Sequence, residues 1–185
     1  MELSNVSVAA DPSGCVTFYD GAGSELARCV LDRTVSNPNT NVYFSLDGRL
    51  AIKDLRVSNK LASQRELAAH QRVTQLLPDC RCVLPLVAVM TPSPRDDQSR
   101  ALGVHHYVVT PRKSRNLIAV ANEFPCAPSL VFLVRVARSV AHALERLHAL
   151  GIVHNDVTIE NVLVDRVFSS SRMCAEDVQG VSLMD

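Results

Sequence analysis

One long amphipathic stretch, residues 129–150, restricts the fold of this chain more than any other segment. It reads SLVFLVRVARSVAHALERLHAL, with apolar residues every three or four positions, which is the period of one helix face. Ser129 can cap the first turn, and Gly151 stands where a left-handed residue often ends a helix. The pattern predicts a helix over 129–150 whose apolar stripe comprises Leu130, Leu133, Val134, Ala137, Val140, Ala141, Leu144 and Leu147.

The part of the chain before this helix alternates short β-like runs with turn residues. Runs rich in β-branched and aromatic residues predict strands at 15–20, 27–33, 41–46, 49–55, 82–90 and 104–110. Asp47-Gly48 is a favoured hairpin dipeptide. The segment 63–78 has helical spacing and ends at Pro78. The first part is therefore predicted to be a mostly antiparallel sheet carrying one helix.

Composition and charge limit the class of function. The chain has 185 residues and is 47% hydrophobic, so it can bury a sizeable core as one domain or two small lobes. Lys plus Arg and Asp plus Glu number 19 each, so net charge does not indicate nucleic acid or an anionic membrane as partner. The start lacks the pattern of a signal peptide, and no run has the apolar length of a membrane span. The sequence predicts a soluble chain and leaves its compartment open.

Six cysteines are scattered along the chain, and only two of them lie close together. A C-x-C pair without a second pair or a suitably spaced His pair does not predict a zinc site. We expect reduced, mostly buried thiols at Cys15, Cys29, Cys80, Cys82, Cys126 and Cys174.

Two motifs about a hundred residues apart carry a family resemblance. HNDVTIEN, after the long helix, keeps His154, Asp156 and Asn161 of the pattern H-R-D-x-x-x-x-N, and LAIKDL resembles the V-A-I-K strand with Lys53. The chain thus resembles the protein kinase superfamily. The resemblance implies an α+β, bilobal kinase-like fold: an antiparallel-sheet N-lobe with one helix, then the first, helical part of a C-lobe. It implies an N-terminal extension with the first strands over 1–34, the N-lobe over 35–111 and a partial C-lobe over 112–185.

The resemblance assigns a role to each matching residue, with ATP and Mg²⁺ as cofactors. Asp156 would accept the proton of the substrate hydroxyl, and Asn161 would offer its amide oxygen to Mg²⁺. Lys53 would bind the α- and β-phosphates of ATP and pair with a helix carboxylate, for which Glu66 is the candidate. His154 would support the loop by hydrogen bonding.

Other positions either extend the pattern or depart from it. Asp185, after VSLM, resembles the Asp of D-F-G and would be a second Mg²⁺ ligand, at the end of a strand that follows an insertion. Asn155 and Thr158 replace the usual Arg and Lys of the catalytic loop. The glycine positions of the phosphate-binding loop fall on Val35, Asn37 and Thr40, so close backbone approach to phosphates is less favourable.

Three functions remain open from the sequence. The first is an ATP-dependent Ser/Thr protein kinase that phosphorylates protein hydroxyls. The second is a pseudokinase, a binding module that regulates a partner protein. The third is a small-molecule phosphotransferase of the choline or aminoglycoside kinase type. The run VVTPRKSRNL also resembles the hinge of apicomplexan rhoptry kinases and pseudokinases, which would imply secretion of a full-length parent into the host cell.

Overall fold

The computed structural model describes residues 1–33, 40–56, 60–78, 83–113, 115–122, 129–166 and 178–183. These residues form ten strands and four helices. The strands are β1 (Glu2–Ala10), β2 (Cys15–Tyr19), β3 (Glu25–Leu31), β4 (Val42–Ser45), β5 (Leu50–Arg56), β6 (Ala88–Pro92), β7 (Val104–Pro111), β8 (Arg115–Asn116), β9 (Val162–Arg166) and β10 (Val178–Leu183). The helices are α1 (Lys60–Leu76), α2 (Asp97–Leu102), α3 (Leu117–Asn122) and α4 (Leu130–Ala149).

The chain divides into two compact units. The first comprises Met1–Gln71 and Leu86–Arg112, and the second comprises Arg72–Pro85 and Lys113–Asp185. The division predicted from the sequence, at 1–34, 35–111 and 112–185, stays a prediction.

The first unit contains a closed barrel of seven strands in the order β1-β2-β3-β4-β5-β7-β6. Neighbouring strands are antiparallel except β1 and β6, which run parallel and close the barrel, with Glu2 opposite Val89. The Asp47-Gly48 hairpin forms as predicted, because Gly48 has a φ of 73°, which few other residues adopt without strain.

Alternating side chains fill the barrel. Val6 and Val8 of β1 point inward, and their neighbours Asn5 and Ala9 are exposed. Phe18 lies at the centre, edge-on to Tyr107 at a ring-centroid distance of 5.1 Å. Such aromatic pairs add about 0.5–1.5 kcal/mol beyond the area they bury. The remaining interior residues are Val16, Cys29, Tyr43, Ile52, Ala88, Met90 and Val109.

The short helix α2 is attached to the barrel by one buried carboxylate. Asp96 caps α2 by accepting a hydrogen bond from the backbone N–H of Ser99 at 2.8 Å, and it accepts a second from the backbone N–H of Val8 at 2.9 Å. The Ser99 hydroxyl lies 2.8 Å from the Tyr107 hydroxyl. The barrel strands β1 and β7 are therefore both bonded to residues of the α2 turn.

The second unit packs helices against a three-stranded sheet of order β10-β9-β8. Helix α4 begins after Ser129, whose hydroxyl accepts from the N–H of Phe132 at 3.2 Å, and ends before Gly151, which has a φ of 69°. The predicted helix and its cap are thus confirmed. The predicted apolar stripe is largely wrong, because the helix buries a different face and exposes Leu130, Leu133, Val134, Ala137 and Ala141. Buried residues of α4 share a core with β9, α3 and the end of α1, comprising Val73, Val83, Val120, Phe132, Val136, Ala143, Leu147, Val162 and Val164.

The fold class predicted from the kinase resemblance is wrong. The described residues form a closed seven-stranded barrel, with a second sheet in the other unit, and more of them lie in strands than in helices. This is not a bilobal kinase-like fold with a helical C-lobe. The prediction treated the first residues as an extension, whereas β1 belongs to the barrel and closes it. It also expected the part after the hinge to be mainly helical, whereas β8, β9 and β10 pair there as a three-stranded sheet, in addition to the helices α3 and α4.

Among the described helices, none combines the length and apolar composition that a membrane-spanning segment requires.

Candidate functional site

Lys53 lies on the outer face of the barrel because of the alternation along β5. Ile52 and Asp54 are buried on the inner face, and Lys53 between them projects the other way. Its direct cross-strand neighbours are Val42 on β4 and Val108 on β7, which share its face. The ammonium group therefore stands beside apolar side chains, where an isolated charge would be costly.

Glu66 of α1 supplies the partner that this position requires. The Lys53 Nζ and Glu66 Oε1 atoms are 2.8 Å apart, and the two side chains are only 21% and 22% exposed. The helix over 63–78 was predicted from sequence spacing, and Glu66 was assigned as the carboxylate from the kinase resemblance. The structure brings both predicted residues together within the first unit.

The sheet surface next to Lys53 is half-buried and largely apolar. Phe44 pairs with Ala51, and Ala51 pairs with Thr110, so these side chains continue the face on which Val42 and Lys53 lie. Val42, Phe44 and Ala51 are each partly buried, and Thr110 is buried. A flat apolar group could lie along this surface with an anionic group at the ammonium of Lys53.

The second set of predicted residues follows α4 in the second unit. The chain leaves the helix through Gly151, and the backbone N–H of Ile152 donates to the carbonyl of Leu147 at 3.0 Å. Val162, at the start of β9, is buried in the core of the unit. The intervening loop is thus fixed at both ends. Asn155 has a φ of 63°, the left-handed conformation that Asn tolerates better than most residues.

Within this loop Asp156 and Asn161 are joined by hydrogen bonds. The Asn161 Nδ2 atom donates to Asp156 Oδ2 at 2.9 Å and to the Asp156 carbonyl at 3.0 Å. The backbone N–H of Asp156 points to the Nδ1 atom of His154 at 3.4 Å, so the His154 ring contacts the loop. Asp156 and Thr158 are exposed, and Asn161 is partly buried. The arrangement holds a solvent-facing carboxylate in one orientation.

Some predicted site residues lie outside the described part of the chain. Asp185, the proposed second Mg²⁺ ligand, is among them, although β10, the strand expected just before it, is present. Val35 and Asn37 are also outside, as are Cys80, Cys82, Cys126 and Cys174. The described residues contain no cluster of three or more His, Cys, Asp or Glu side chains able to hold a metal.

The sequence reasoning missed a buried carboxylate next to Lys53. Asp54 faces the barrel interior, where its Oδ1 accepts from the backbone N–H of Asn41 at 2.6 Å and its Oδ2 lies 3.1 Å from Arg56 Nη2. Burial raises the pKa of Asp54, although the bonds from Asn41 and Arg56 oppose that rise. The available sequence signal was the alternation in LAIKDL, which places Asp54 and Lys53 on opposite faces of the strand.

Neither the protein-family models nor the curated protein sequences include a match to this chain.

Proposed function

We propose that this chain binds ATP with Mg²⁺ and transfers the γ-phosphate to hydroxyl groups of proteins. The observation that carries the proposal is the 2.8 Å pair of Lys53 and Glu66 on a half-buried surface. An ammonium group carries a positive charge and N–H donors, and both suit phosphate oxygens. The apolar residues beside it offer a surface for the flat base of a nucleotide.

The loop after α4 supports the second half of the proposal. General-base catalysis needs a carboxylate that is accessible and oriented, and Asp156 is exposed and held by Asn161. Because Asn161 bonds Asp156 through Nδ2, its Oδ1 atom is the oxygen that would face a hard cation such as Mg²⁺. Asp156 would orient the acceptor hydroxyl and take its proton.

A nucleotide-binding regulatory module is the second candidate function. Thr158 is exposed at the position where the resemblance expects a lysine that steadies the γ-phosphate, and a hydroxyl carries no charge. Loss of this charge weakens transfer more than binding, because charge develops at the γ-phosphate during the reaction. Measuring binding and transfer separately distinguishes the two candidates.

Isothermal titration calorimetry with ATP, with and without Mg²⁺, tests the binding half. Lys53→Met should weaken the affinity at least about tenfold, since a hydrogen bond to a charged group contributes about 1.5–3 kcal/mol. Lys113→Met is the matched control, because it removes the same charge from the chain at another position. No binding by the wild-type chain, or equal losses in both variants, would overturn this half of the proposal.

Transfer of a radiolabelled γ-phosphate to a generic acceptor protein tests the other half. Asp156→Asn should lower transfer by about 10²–10⁴-fold, the range of general-base contributions, and leave the ATP affinity unchanged. Asp97→Asn is the control, since Asp97 is an exposed carboxylate of α2. ATP binding without any transfer by the wild-type chain would favour the regulatory module.

A further inference from the structure

A cleft of about 410 Å³ opens on the surface of the first unit, beside the ends of β3 and β4. Its apolar lining comes from Val30, Phe44 and Leu46, and its charged lining includes Arg33 and Arg112. Val30 and Leu46 are 46% and 60% exposed, so apolar side chains on one side of the cleft face solvent. Neither Lys53 nor Asp156 lines it.

Arg112 is held in place from two directions. Its guanidinium carbon lies 4.2 Å from the centroid of the Phe44 ring, a cation–π arrangement. Its backbone N–H donates to the carbonyl of Arg49 at 2.7 Å, which ties the end of β7 to the β4–β5 turn. A guanidinium that stacks by its face keeps its N–H groups at the edge, where they can bind an oxyanion through two parallel hydrogen bonds.

The charges lining the cleft are not balanced. Arg33 and Arg112 form no ion pair in the part of the chain that the structure describes, and Asp32 is the single carboxylate of the lining. Two guanidinium groups and one carboxylate leave an excess of one positive charge next to apolar surface. A ligand that fits both properties carries an oxyanion on an apolar body.

We propose that this cleft binds a small organic anion, in which a carboxylate or phosphate group is attached to a flat apolar body. The oxyanion would bind the edge of the Arg112 guanidinium, with Arg33 adding attraction, and the flat body would lie against Val30 and Leu46. This site is additional to the proposed ATP-dependent function, because its anion-binding groups, Arg33 and Arg112, are not assigned to nucleotide binding or transfer. Phe44 borders both surfaces.

Nitrogen-15 NMR titrations of the whole chain with three probes test the proposal. Phenyl phosphate and benzoate share the apolar ring and differ in the oxyanion, and benzyl alcohol has the ring without charge. We expect both anions to shift the amide signals of Phe44, Leu46 and Arg112, with benzyl alcohol binding at least about tenfold more weakly. Binding of the neutral probe with equal affinity would overturn the proposal. It would also be overturned if neither anion bound at about 10 mM, because a Kd above that concentration is too weak for a built site.

Three variants locate the bound anion. Arg112→Gln should weaken phenyl phosphate binding about tenfold, and Arg33→Gln should weaken it less, whereas Arg100→Gln, an exposed arginine of α2, should not. Lys53→Met should leave this affinity unchanged. Arg112→Gln is not used if it alters the whole amide spectrum. In that case the phenyl phosphate affinities of Arg33→Gln and of Phe44→Leu, which removes the ring beneath the guanidinium, decide whether the anion binds in this cleft. Affinity lost in Lys53→Met and kept in Arg112→Gln would refute the site.

Discussion

The ion pair of Lys53 and Glu66 allows a quantitative test by a double-mutant cycle. At 2.8 Å the Coulomb attraction is about 6 kcal/mol for an effective dielectric constant of about 20. Desolvation and side-chain ordering offset most of it: exposed pairs contribute about 0.2–1 kcal/mol, and breaking a buried pair costs about 3–5 kcal/mol. With each side chain about a fifth exposed, we expect a coupling free energy of about 1–2 kcal/mol.

The cycle compares the wild-type chain with Lys53→Met, Glu66→Gln and the double variant in urea unfolding. The chain has three tyrosines and no tryptophan. Because Tyr19, Tyr43 and Tyr107 all belong to the first unit, tyrosine fluorescence reports on that unit alone. The coupling free energy is the change in unfolding free energy of the double variant minus the sum of the changes in the two single variants.

The pair Arg100 and Asp97 on α2 is the control for this cycle. It is in the same unit, at a distance of 3.6 Å, but its side chains are 67% and 94% exposed. Its coupling should be at most about 0.5 kcal/mol, as for other pairs on exposed helix surfaces. A Lys53–Glu66 coupling no larger than that of the control would refute the inference that the two charges are held together on a protected surface.

Three further predictions concern the barrel interior. Phe18→Leu should lower the unfolding free energy by about 1–3 kcal/mol, measured in urea, because it removes two edge-on aromatic contacts; a change below about 0.5 kcal/mol would contradict the packing. The stability of the wild-type chain relative to Asp54→Asn should fall as pH rises above the ordinary carboxyl pKa of 3.8 and through the raised pKa of Asp54, because the folded state holds the proton more tightly. The opposite slope in urea unfolding at several pH values would exclude this. Burial raises the pKa of Cys29 to about 12, so maleimide should modify Cys15 faster than Cys29 in peptide mapping, and equal rates would show an open barrel.

Local patterns in the sequence were sufficient to predict α4 and most barrel strands. The 3.6-residue period is a property of contiguous residues, so the helix over 129–150 needed no tertiary information. The pairing of Lys53 with Glu66 was predictable for a related reason. A lysine within an apolar strand needs a carboxylate, and the helix that follows this strand offered Glu66.

Closure of the barrel was not predictable from such patterns. Strand β1 has only Val6 and Val8 as buried apolar residues, and several of its other positions are polar and exposed, so its sequence resembles a loosely structured extension. Its partner β6 lies far along the chain, and strand pairing at that distance depends on the whole sheet rather than on either segment. The burial of Asp54 could be read from alternation only once β5 was known to have a closed interior on one side.

The parallel pairing of β1 with β6 also determines the order in which the first unit can fold. The backbone carbonyl of Val87 accepts from the amino group of Met1, 86 positions away. The hairpins β2–β3 and β4–β5 need only short loops to close, and hairpins form within about 1–10 µs. A contact between distant segments carries a larger loop-closure cost, so the last seam of the barrel closes late and slows the overall reaction. On the ribosome, Val6 and Val8 emerge well before residues 88–92, so β1 has no partner on one side until those residues have been synthesised.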